Sequence, residues 1–477
     1  MRFTKFIKQH SLFEENKVAE WQRYIDELPE LKAAIEVVTK LEELGGKAYI
    51  VGGAVRDIVL GVKEPNDIDI ATNVPLDTII DKFKTFDIGK NKDFGIAVVK
   101  HGGYDFEVAN FRKDGTYSDG RRPDSVEIVG DFKDDASRRD FSINAMAVDK
   151  EGNIIDYFNG IKDIQNKIIR TVGDAHKRFG EDFLRMLRAP RFASRLGFKI
   201  DPETLEAIKT SSGNIKDVAM ERVLQELTKM AKQSGDKFAD AILILKDTGL
   251  LQHILPEVLE MDSFEHSVEH HPEGNVFQHT IAALRANKSS DPIINLSILL
   301  HDVGKIKTHS LDDNGLHRYL GHAKEAVDMI DVIANRLKMD TKTKEALKFA
   351  AGNHMKFHEL LKMKDSTIAK LMNNPNWDIL QATAEADGRA RGKLFSDKDW
   401  NDILNHVNQL KAKFSGGDAL EAVKKVVNGS LVSQARPELK PGPMFGKIIA
   451  ATIDWVLNNN IDITDTAAII DFMKNLQ

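Results

Sequence analysis

The sequence predicts an α+β protein in which a small head with a mixed β-sheet is joined to an elongated all-α body. Between about residues 48 and 150, short β-type runs alternate with turns rich in Gly, Asn and Asp. After about residue 160 the β pattern gives way to helix-length segments whose apolar residues lie three and four positions apart, up to Gln477. Strands followed by helices along one chain are typical of the α+β class.

The chain is long enough for several domains and contains no cysteine. Its 477 residues correspond to about three domains at roughly 100 to 200 residues each. Without Cys there are no disulfides, thiolate nucleophiles or iron–sulfur ligands, so any metal must be held by His, Asp or Glu. The short apolar start is followed at once by Glu14 and Glu15, and no long apolar run occurs. Neither a signal peptide nor a membrane span is expected, and we predict a cytoplasmic protein.

The charge is distributed unevenly. The chain has 67 Lys and Arg against 73 Asp and Glu, for a net charge of −6, which disfavours indiscriminate binding to nucleic acid. Residues 162–199, however, carry 10 basic against 4 acidic residues. A local basic surface just after the head therefore remains compatible with selective RNA binding.

The head begins with helical sequence around residues 30–45, a strand at 48–51 and the turn Gly52-Gly53. This glycine pair would let backbone N–H groups approach phosphate oxygens at the start of the next helix. A strand with Asp67 and Asp69 follows. Because strand side chains alternate, the two carboxylates are expected to face the same way, with Cα atoms roughly 6.5 to 7 Å apart. Such a pair can share divalent cations for phosphoryl transfer, and Glu107 is the candidate third carboxylate.

Three motifs in order make this combination specific. They are GGAVRD at 52–57, DIDIAT at 67–72 and RRDFSINAMA at 138–147. Together they resemble the class II tRNA nucleotidyltransferase and poly(A) polymerase family of the polymerase-β superfamily. The resemblance continues through 156–163, 180–189 and 219–226. It implies Mg²⁺-dependent, template-independent nucleotide addition, with Asp67, Asp69 and Glu107 as the catalytic, metal-holding carboxylates.

The resemblance also implies a nucleotide-binding set. Base choice is expected from Asp182 and Arg185, which at positions i and i+3 would share one helix face. Asp140 is expected to contact the ribose, and Arg138 or Arg139 the triphosphate. The full set comprises Gly52, Gly53, Arg56, Arg138, Arg139, Asp140, Asp182, Arg185, Arg188 and Arg191. Pro190 is expected to kink this helix unless a break already exists, which leaves the geometry around Arg191 open.

Within the family, the sequence favours CCA addition to tRNA from CTP and ATP. Residues 111–123 resemble the full-length flexible loop of CCA-adding members, which disfavours CC-only addition. Residues 231–477 hold 30 basic against 33 acidic residues, whereas bacterial poly(A) polymerases tend to have a basic C-terminal region. Addition of A alone shares the motifs and stays open as an alternative.

A histidine cluster marks the second half of the chain, since 11 of the 15 His fall between His253 and His358. An adjacent His and Asp at a helix end, with a His before and an Asp far after, resembles the HD superfamily of metal phosphohydrolases. The resemblance implies a divalent-metal site and phosphatase or 2′,3′-cyclic phosphodiesterase activity. The other His in this region, including His266 and His358, are expected to lie mostly on the surface. The ligands would be His279, His301, Asp302 and Asp387, with His322 and His354 added in a binuclear site.

These patterns predict four domains: a nucleotidyltransferase head at 1–158, a helical neck and RNA-binding region at 159–250, an HD domain at 251–390 and a helical tail at 391–477. The expected partners are tRNA, CTP and ATP. A rival interpretation makes the chain mainly an HD phosphohydrolase whose head only binds nucleotide or RNA. The sequence leaves the oligomeric state open.

Overall fold

The computed structural model describes residues 21–22, 24–62, 67–86, 95–115, 125–266, 274–413, 419–459 and 461–476. The residues of the predicted flexible loop from 116 onward lie outside this part of the chain, as do residues 1–20. Contacts divide the chain into two compact units, one of residues 1–227 and 240–254, the other of residues 228–239 and 255–477. The predicted division into four domains stays a prediction.

The first unit contains a seven-stranded mixed sheet in the order β3-β4-β5-β2-β1-β8-β9. Only β2 and β5 pair in parallel; the other neighbours are antiparallel. Three further strand pairs stand apart from this sheet. The strands are β1 (Ala48–Val51), β2 (Asp69–Thr72), β3 (Thr85–Phe86), β4 (Ile96–His101), β5 (Tyr104–Asn110), β6 (Arg112–Asp114), β7 (Val126–Ile128), β8 (Met146–Val148), β9 (Ile154–Asp156), β10 (Ile168–Ile169), β11 (Lys199–Ile200), β12 (Ser310–Leu311) and β13 (His317–Arg318).

Some helices of the first unit, among them α1, α2 and α3, pack against the sheet, and the others follow it along the chain. Helix α1 begins at Pro29, whose fixed φ suits a first helical turn, and buries Leu31, Val37 and Leu41. These helices are α1 (Pro29–Glu43), α2 (Gly53–Leu60), α3 (Leu76–Lys82), α4 (Phe132–Ser137), α5 (Gly160–Asn166), α6 (Ala175–Glu181), α7 (Arg185–Leu196), α8 (Pro202–Ser211), α9 (Met220–Ala231), α10 (Gly235–Asp247) and α11 (Leu251–Ile254), of which α9 and α10 are shared with the second unit.

The second unit is almost entirely helical. Its remaining helices are α12 (Pro256–Glu260), α13 (Val276–Ala286), α14 (Pro292–Leu300), α15 (Lys305–Thr308), α16 (His322–Arg336), α17 (Thr341–His358), α18 (Asp365–Met372), α19 (Trp377–Ala390), α20 (Asp397–Lys413), α21 (Ala419–Val426), α22 (Gly429–Ala435), α23 (Pro443–Asn458) and α24 (Thr466–Asn475). No helix in the described part of the chain is long and apolar enough to span a membrane.

The predicted α+β class, with a mixed-sheet head and a helical remainder, is confirmed. Strand β7, which is one of the β-type runs of the head, pairs with β6 in a separate ribbon and does not join the main sheet. The pairs β10–β11 and β12–β13 interrupt the helical region. Each of these strands has two residues, too few for an alternating pattern to be visible in the sequence.

Candidate functional site

The carboxylates of the head lie on neighbouring strands. Ile70 of β2 pairs with Val108 of β5, so Asp69 and Glu107, one residue earlier on each strand, are neighbours on one face of the sheet. Asp67 precedes β2 and has φ 54, in the left-handed region that Asp tolerates better than most residues. The expectation that Asp67 and Asp69 lie on one strand is therefore wrong, because only Asp69 belongs to β2. Burial, Glu107 and Asp67 together raise the pKa of Asp69 to about 6, although Arg139 opposes the shift.

This raised pKa makes a prediction for the metal-free protein. Asp69 would keep its proton in the folded state up to about pH 6 but lose it near pH 4 when unfolded. The free energy of unfolding should therefore decrease as the pH rises from about 4 to about 6. We expect Asp69→Asn to raise the free energy of unfolding by about 1 to 3 kcal/mol at pH 8 and by almost nothing below pH 4. Urea titrations of both proteins in the presence of a chelator, at pH 8 and below pH 4, measure this change in the free energy of unfolding. An equal change at the two pH values would show that the pKa of Asp69 is not raised in the folded protein.

A cavity of about 330 Å³ adjoins Asp69. It gathers six arginines around three aspartates, which suits a ligand with several negative charges. Of the predicted nucleotide-binding residues, only Arg191 is absent from its lining. The lining residues are Gly52, Gly53, Arg56, Asp69, Arg138, Arg139, Asp140, Asn144, Asp182, Leu184, Arg185, Arg188, Phe192 and Arg222.

The glycine pair lies where β1 passes into α2. Gly52 has φ 75, and a Cβ there would lie 3.0 Å from Nη1 of Arg139, so a side chain would displace this guanidinium. The expectation that both glycine amides face phosphates is wrong for Gly52, whose N–H donates to the Met146 carbonyl at 3.2 Å. Gly53 is the first residue of α2, where backbone N–H groups are free of intrahelical partners.

Two arginines of the cavity share one buried carboxylate. Arg138 donates through Nε and Nη2 to Oδ1 of Asp135, at 3.0 and 2.6 Å. Arg139 donates through the same two atoms to Oδ2, at 3.3 and 3.0 Å. Asp135 is only 1% exposed. Since each guanidinium turns one edge to Asp135, their remaining N–H groups are held in fixed directions. Sequence reasoning missed Asp135, although its position three residues before Arg138 on a short helix was a usable signal.

Asp135 should therefore affect triphosphate binding more than catalysis. We expect Asp135→Asn to raise KM for nucleotide about tenfold while kcat changes by less than threefold, because the arginines lose their anchor. Asp135→Glu should recover part of this loss. The exposed neighbour supplies a control, Asp134→Asn. Steady-state kinetics with a melting curve for each variant test this; a fall in kcat at unchanged KM would argue against a positioning role.

The two residues predicted to select the base lie at a break between two helices. Helix α6 ends at Glu181 and α7 begins at Arg185, while Asp182 is extended, with φ −148 and ψ 106. The expectation that Asp182 and Arg185 share a helix face is wrong. The Asp182 carboxylate accepts from Leu184 N at 3.0 Å and so competes with continued helical bonding. The break precedes Pro190, which lies inside α7.

Asp182 and Arg185 are both held by other side chains of the protein. Asp182 pairs with Arg222 at 2.9 Å, and Arg185 pairs with Glu181 at 2.6 Å. Arg185 also donates to the carbonyl of Arg138. Sequence reasoning had noted Arg222 only as part of a later motif, since its 40-residue separation from Asp182 hides their contact.

The other predicted nucleotide-binding residues form buried pairs. Arg188 donates to Asp140 at 2.6 Å, and Arg191 lies 2.7 Å from Glu226. Burial raises the pKa of Asp140, but Arg188 and the Asn144 amide outweigh it and bring the value to about 2. Asp140 is thus an ionised acceptor at any physiological pH. Arg56 pairs with buried Asp57 and donates to Asn144.

The second unit contains a buried His/Asp cluster. The shortest contacts join His279 Nε2 to Asp387 Oδ1 at 2.9 Å and His301 Nε2 to Asp302 Oδ2 at 3.2 Å. On its other side, Asp302 Oδ1 lies 3.4 Å from His322 Nε2 and 3.7 Å from His354 Nε2. All six predicted ligands thus come together, and the two oxygens of Asp302 face different histidines.

Backbone carbonyls orient three of these histidines. In His301, His322 and His354, the Nδ1 atom donates a hydrogen bond to the backbone carbonyl of the residue three positions earlier, at 2.7 to 2.8 Å. The Nε2 atoms of His322 and His354, whose pKa values burial lowers, then turn their lone pairs inward, as in metal-binding histidines. The Nε2 atoms of His322 and His354 lie 3.3 Å apart. Two facing lone pairs repel unless a cation lies between them, so these residues fit a metal ion.

Burial lowers the pKa of His354 to about 3 and also lowers that of His322, so both are neutral ligands. Although burial alone would lower the pKa of His301, Asp302 raises it to about 10. Neither Asp302 oxygen nor His301 Nε2 makes a hydrogen bond of normal geometry. A metal ion would supply the missing contacts and displace the proton of His301.

Further residues complete the cluster. His266 is 5% exposed and lies 3.1 Å from Lys305 Nζ, while His358 Nε2 contacts Asp387 Oδ2 at 2.9 Å. The expectation that these two histidines lie on the surface is wrong. His358 is four residues after His354 on α17, a spacing that could have revealed it. Gly304 allows the loop to pass α16, since a Cβ there would lie 2.1 Å from the His322 carbonyl.

Comparison with known proteins agrees with the class of fold and site in the head. The family model described as "Poly A polymerase head domain" matches residues 48–170. The model described as "Probable RNA and SrmB- binding site of polymerase A" matches residues 197–261. These matches cover the mixed sheet and helices α8 to α11, but not residues 171–196, which contribute Asp182, Arg185 and Arg188 to the cavity.

The relatives are CCA-adding enzymes. The one from Geobacillus stearothermophilus is 44% identical over 223 residues, which are 46% of this chain and 54% of that protein. The one from Levilactobacillus brevis is 37% identical over 317 residues, 66% of this chain and 74% of that protein. The crystal structure of the Bacillus stearothermophilus CCA-adding enzyme in complex with CTP superposes with a TM-score of 0.66 at 25% identity, over 92% of this chain and 97% of that one. The chain belongs to the CCA-adding enzyme family, and it spans about half the length of the Geobacillus relatives it matches.

Proposed function

We propose that the protein adds C, C and A to the 3′ end of tRNA, using CTP and ATP and no nucleic-acid template. The observation that carries this proposal is that one cavity is lined by Asp69, by Asp182 and by six arginines, of which Arg185 is one. Membership of the CCA-adding family supports it, as does the likeness to a relative whose structure contains CTP.

Asp67, Asp69 and Glu107 would hold Mg²⁺. Their fit is supported by a donor set made of oxygen atoms, which divalent cations such as Mg²⁺ prefer, and by the raised pKa of Asp69, which reflects burial first and then the charges of Glu107 and Asp67. When bound, the metal would lower the pKa of the attacking 3′-hydroxyl and offset charge on the phosphates. Arg138 and Arg139 would orient the triphosphate from the opposite side through the N–H groups that Asp135 leaves free.

Asp182 and Arg185 would select the base. The Watson–Crick edges of C and A both offer an amino group beside an unprotonated ring nitrogen, whereas U and G offer a carbonyl beside an N–H. A carboxylate acceptor next to a guanidinium donor matches the first pattern and opposes the second. In the structure Arg222 and Glu181 hold these groups in place, so selection would require little movement of the protein.

Removal of Asp182 should relax this selection. We expect Asp182→Ala to reduce the preference for CTP over UTP by about 10- to 100-fold, because the opposing acceptor is lost. Single-nucleotide incorporation into tRNA lacking CCA, with each of the four triphosphates, measures it. Exposed Asp217 provides the control variant, Asp217→Ala. An unchanged CTP preference would mean that Asp182 does not read the base.

We also propose a second activity in the other unit, metal-dependent phosphohydrolysis of phosphomonoesters or 2′,3′-cyclic phosphodiesters. The specific observation is the convergence of carbonyl-oriented imidazoles on Asp302 and Asp387. His279, His301, Asp302 and Asp387 would hold one divalent ion. Asp302 would bridge to a second ion near His322 and His354, since its two oxygens face the two groups of histidines separately. The metal would supply a hydroxide nucleophile near neutral pH.

A further inference from the structure

Arg391 lies beside the His/Asp cluster of the second unit. It is the C-terminal cap of α19, four residues after Asp387, so both side chains lie on the same face of the helix. Both line a cavity of about 550 Å³ together with Asp302, Lys305 and His354.

The Arg391 side chain has no ion pair or hydrogen bond with any described residue, and its Nε is buried. Arg389, two residues earlier, contrasts with it. Its guanidinium lies 2.8 Å from Glu385 and 3.0 Å from Asp397. A buried guanidinium nitrogen without an acceptor is unfavourable, and it becomes favourable when an anion occupies the cavity.

Lys305 adds a second cation to the same cavity. It is 7% exposed, and its Nζ lies 2.6 Å from Asp302 and 3.1 Å from His266. Lys305 is therefore already committed to the cluster, whereas Arg391 has its donors available. Five N–H donors in a planar fork also suit two oxygens of one phosphate better than an ammonium does.

Apolar side chains also line the cavity. Leu320 is 84% exposed and Met355 is 47% exposed, and both line the cavity beside Tyr319. Exposed apolar side chains next to a cationic, metal-binding end suit a ligand with one charged and one flat apolar end. A nucleoside phosphate has this form.

We propose that Arg391 binds the phosphate of a nucleoside phosphate in this cavity, with the base against Leu320 and Met355. This inference rests on the proposed phosphohydrolase site. The nucleoside phosphate would be either free or the end of an RNA. In this proposal Arg391 contacts the phosphate of the ligand and is not a metal ligand.

Calorimetric titration of the full chain, loaded with Mn²⁺, tests this without relying on turnover. The probes are a nucleoside 3′-monophosphate and a short oligoribonucleotide ending in a 3′-phosphate, which separate the two sources. We expect Arg391→Gln to weaken the tighter-binding probe at least tenfold and Arg391→Lys to recover part of the loss. Arg389→Gln, the matched control, should bind as the wild type does, and metal content should be equal in all.

Binding by Arg391→Gln within twofold of the wild type would overturn the proposal, as would loss of metal together with ligand. Absence of binding to the wild type would overturn it too. If the wild-type protein binds the probe through Arg391 but hydrolyses no substrate, the proposed phosphohydrolase activity is wrong and the proposed binding site is retained.

Discussion

Asp69→Asn is expected to reduce nucleotide addition at least 1,000-fold while hydrolysis in the second unit stays unchanged. Burial raises the pKa of Asp69 to about 6, and the charges of Glu107 and Asp67 contribute to the shift. Asn keeps the volume but removes the charge that would hold Mg²⁺, so the hydroxyl and the leaving phosphates would lose their electrostatic stabilisation. Primer extension with labelled ATP or CTP measures the loss.

Asp105 offers a matched control for this variant. It is exposed on β5, two residues before Glu107, and pairs loosely with Lys100 at 3.7 Å. Asp105→Asn should keep full addition. For Asp67 the same amide is preferable to Ala, because Asn tolerates its φ of 54. Addition by Asp69→Asn within tenfold of the wild type would exclude Asp69 from the metal-holding carboxylates.

His301→Ala and Asp302→Asn are expected to abolish metal binding in the second unit, and with it phosphohydrolysis. Both residues are almost completely buried, and Asp302 contacts imidazoles on both of its sides. Removal of either leaves the remaining ligands too few to offset the dehydration of a divalent ion. Metal analysis after dialysis and release of phosphate from a nucleoside 3′-monophosphate are the measurements, and nucleotide addition should be unaffected.

The pH dependence of this site follows from His301. Since its pKa is about 10 without metal, binding of a metal ion should release a proton, and affinity should rise with pH between 6 and 9. His253→Ala, which changes a partly exposed histidine outside the cluster, serves as the control. Retention of metal by Asp302→Asn would contradict the assigned ligand set.

The sequence predicted the parts of the head that local patterns determine. The β-type runs that contain Asp69 and Glu107 form strands, and these strands, β2 and β5, pair with each other. It failed where a local hydrogen bond replaces regular structure. The Asp182 side chain bonds to the Leu184 amide and ends α6, although the surrounding residues favour a continuous helix.

Partners distant in sequence were the other failure. The ion pair of Arg222 with Asp182 depends on packing that no local period reports. In the second unit, the motif residues His301 and Asp302 were recognisable, whereas His266 needed the fold to bring it to Lys305. Most of these buried polar groups are paired with one another, and a sequence does not show such pairing.

The measurement that tests the central claim most directly is nucleotide addition to three tRNA substrates, which lack CCA, CA or only A. With CTP and ATP together, we predict that sequencing of the 3′ ends will show a complete CCA end on all three. Addition of A to the third substrate alone, with no C incorporated into the first, would contradict CCA addition and identify an A-adding enzyme.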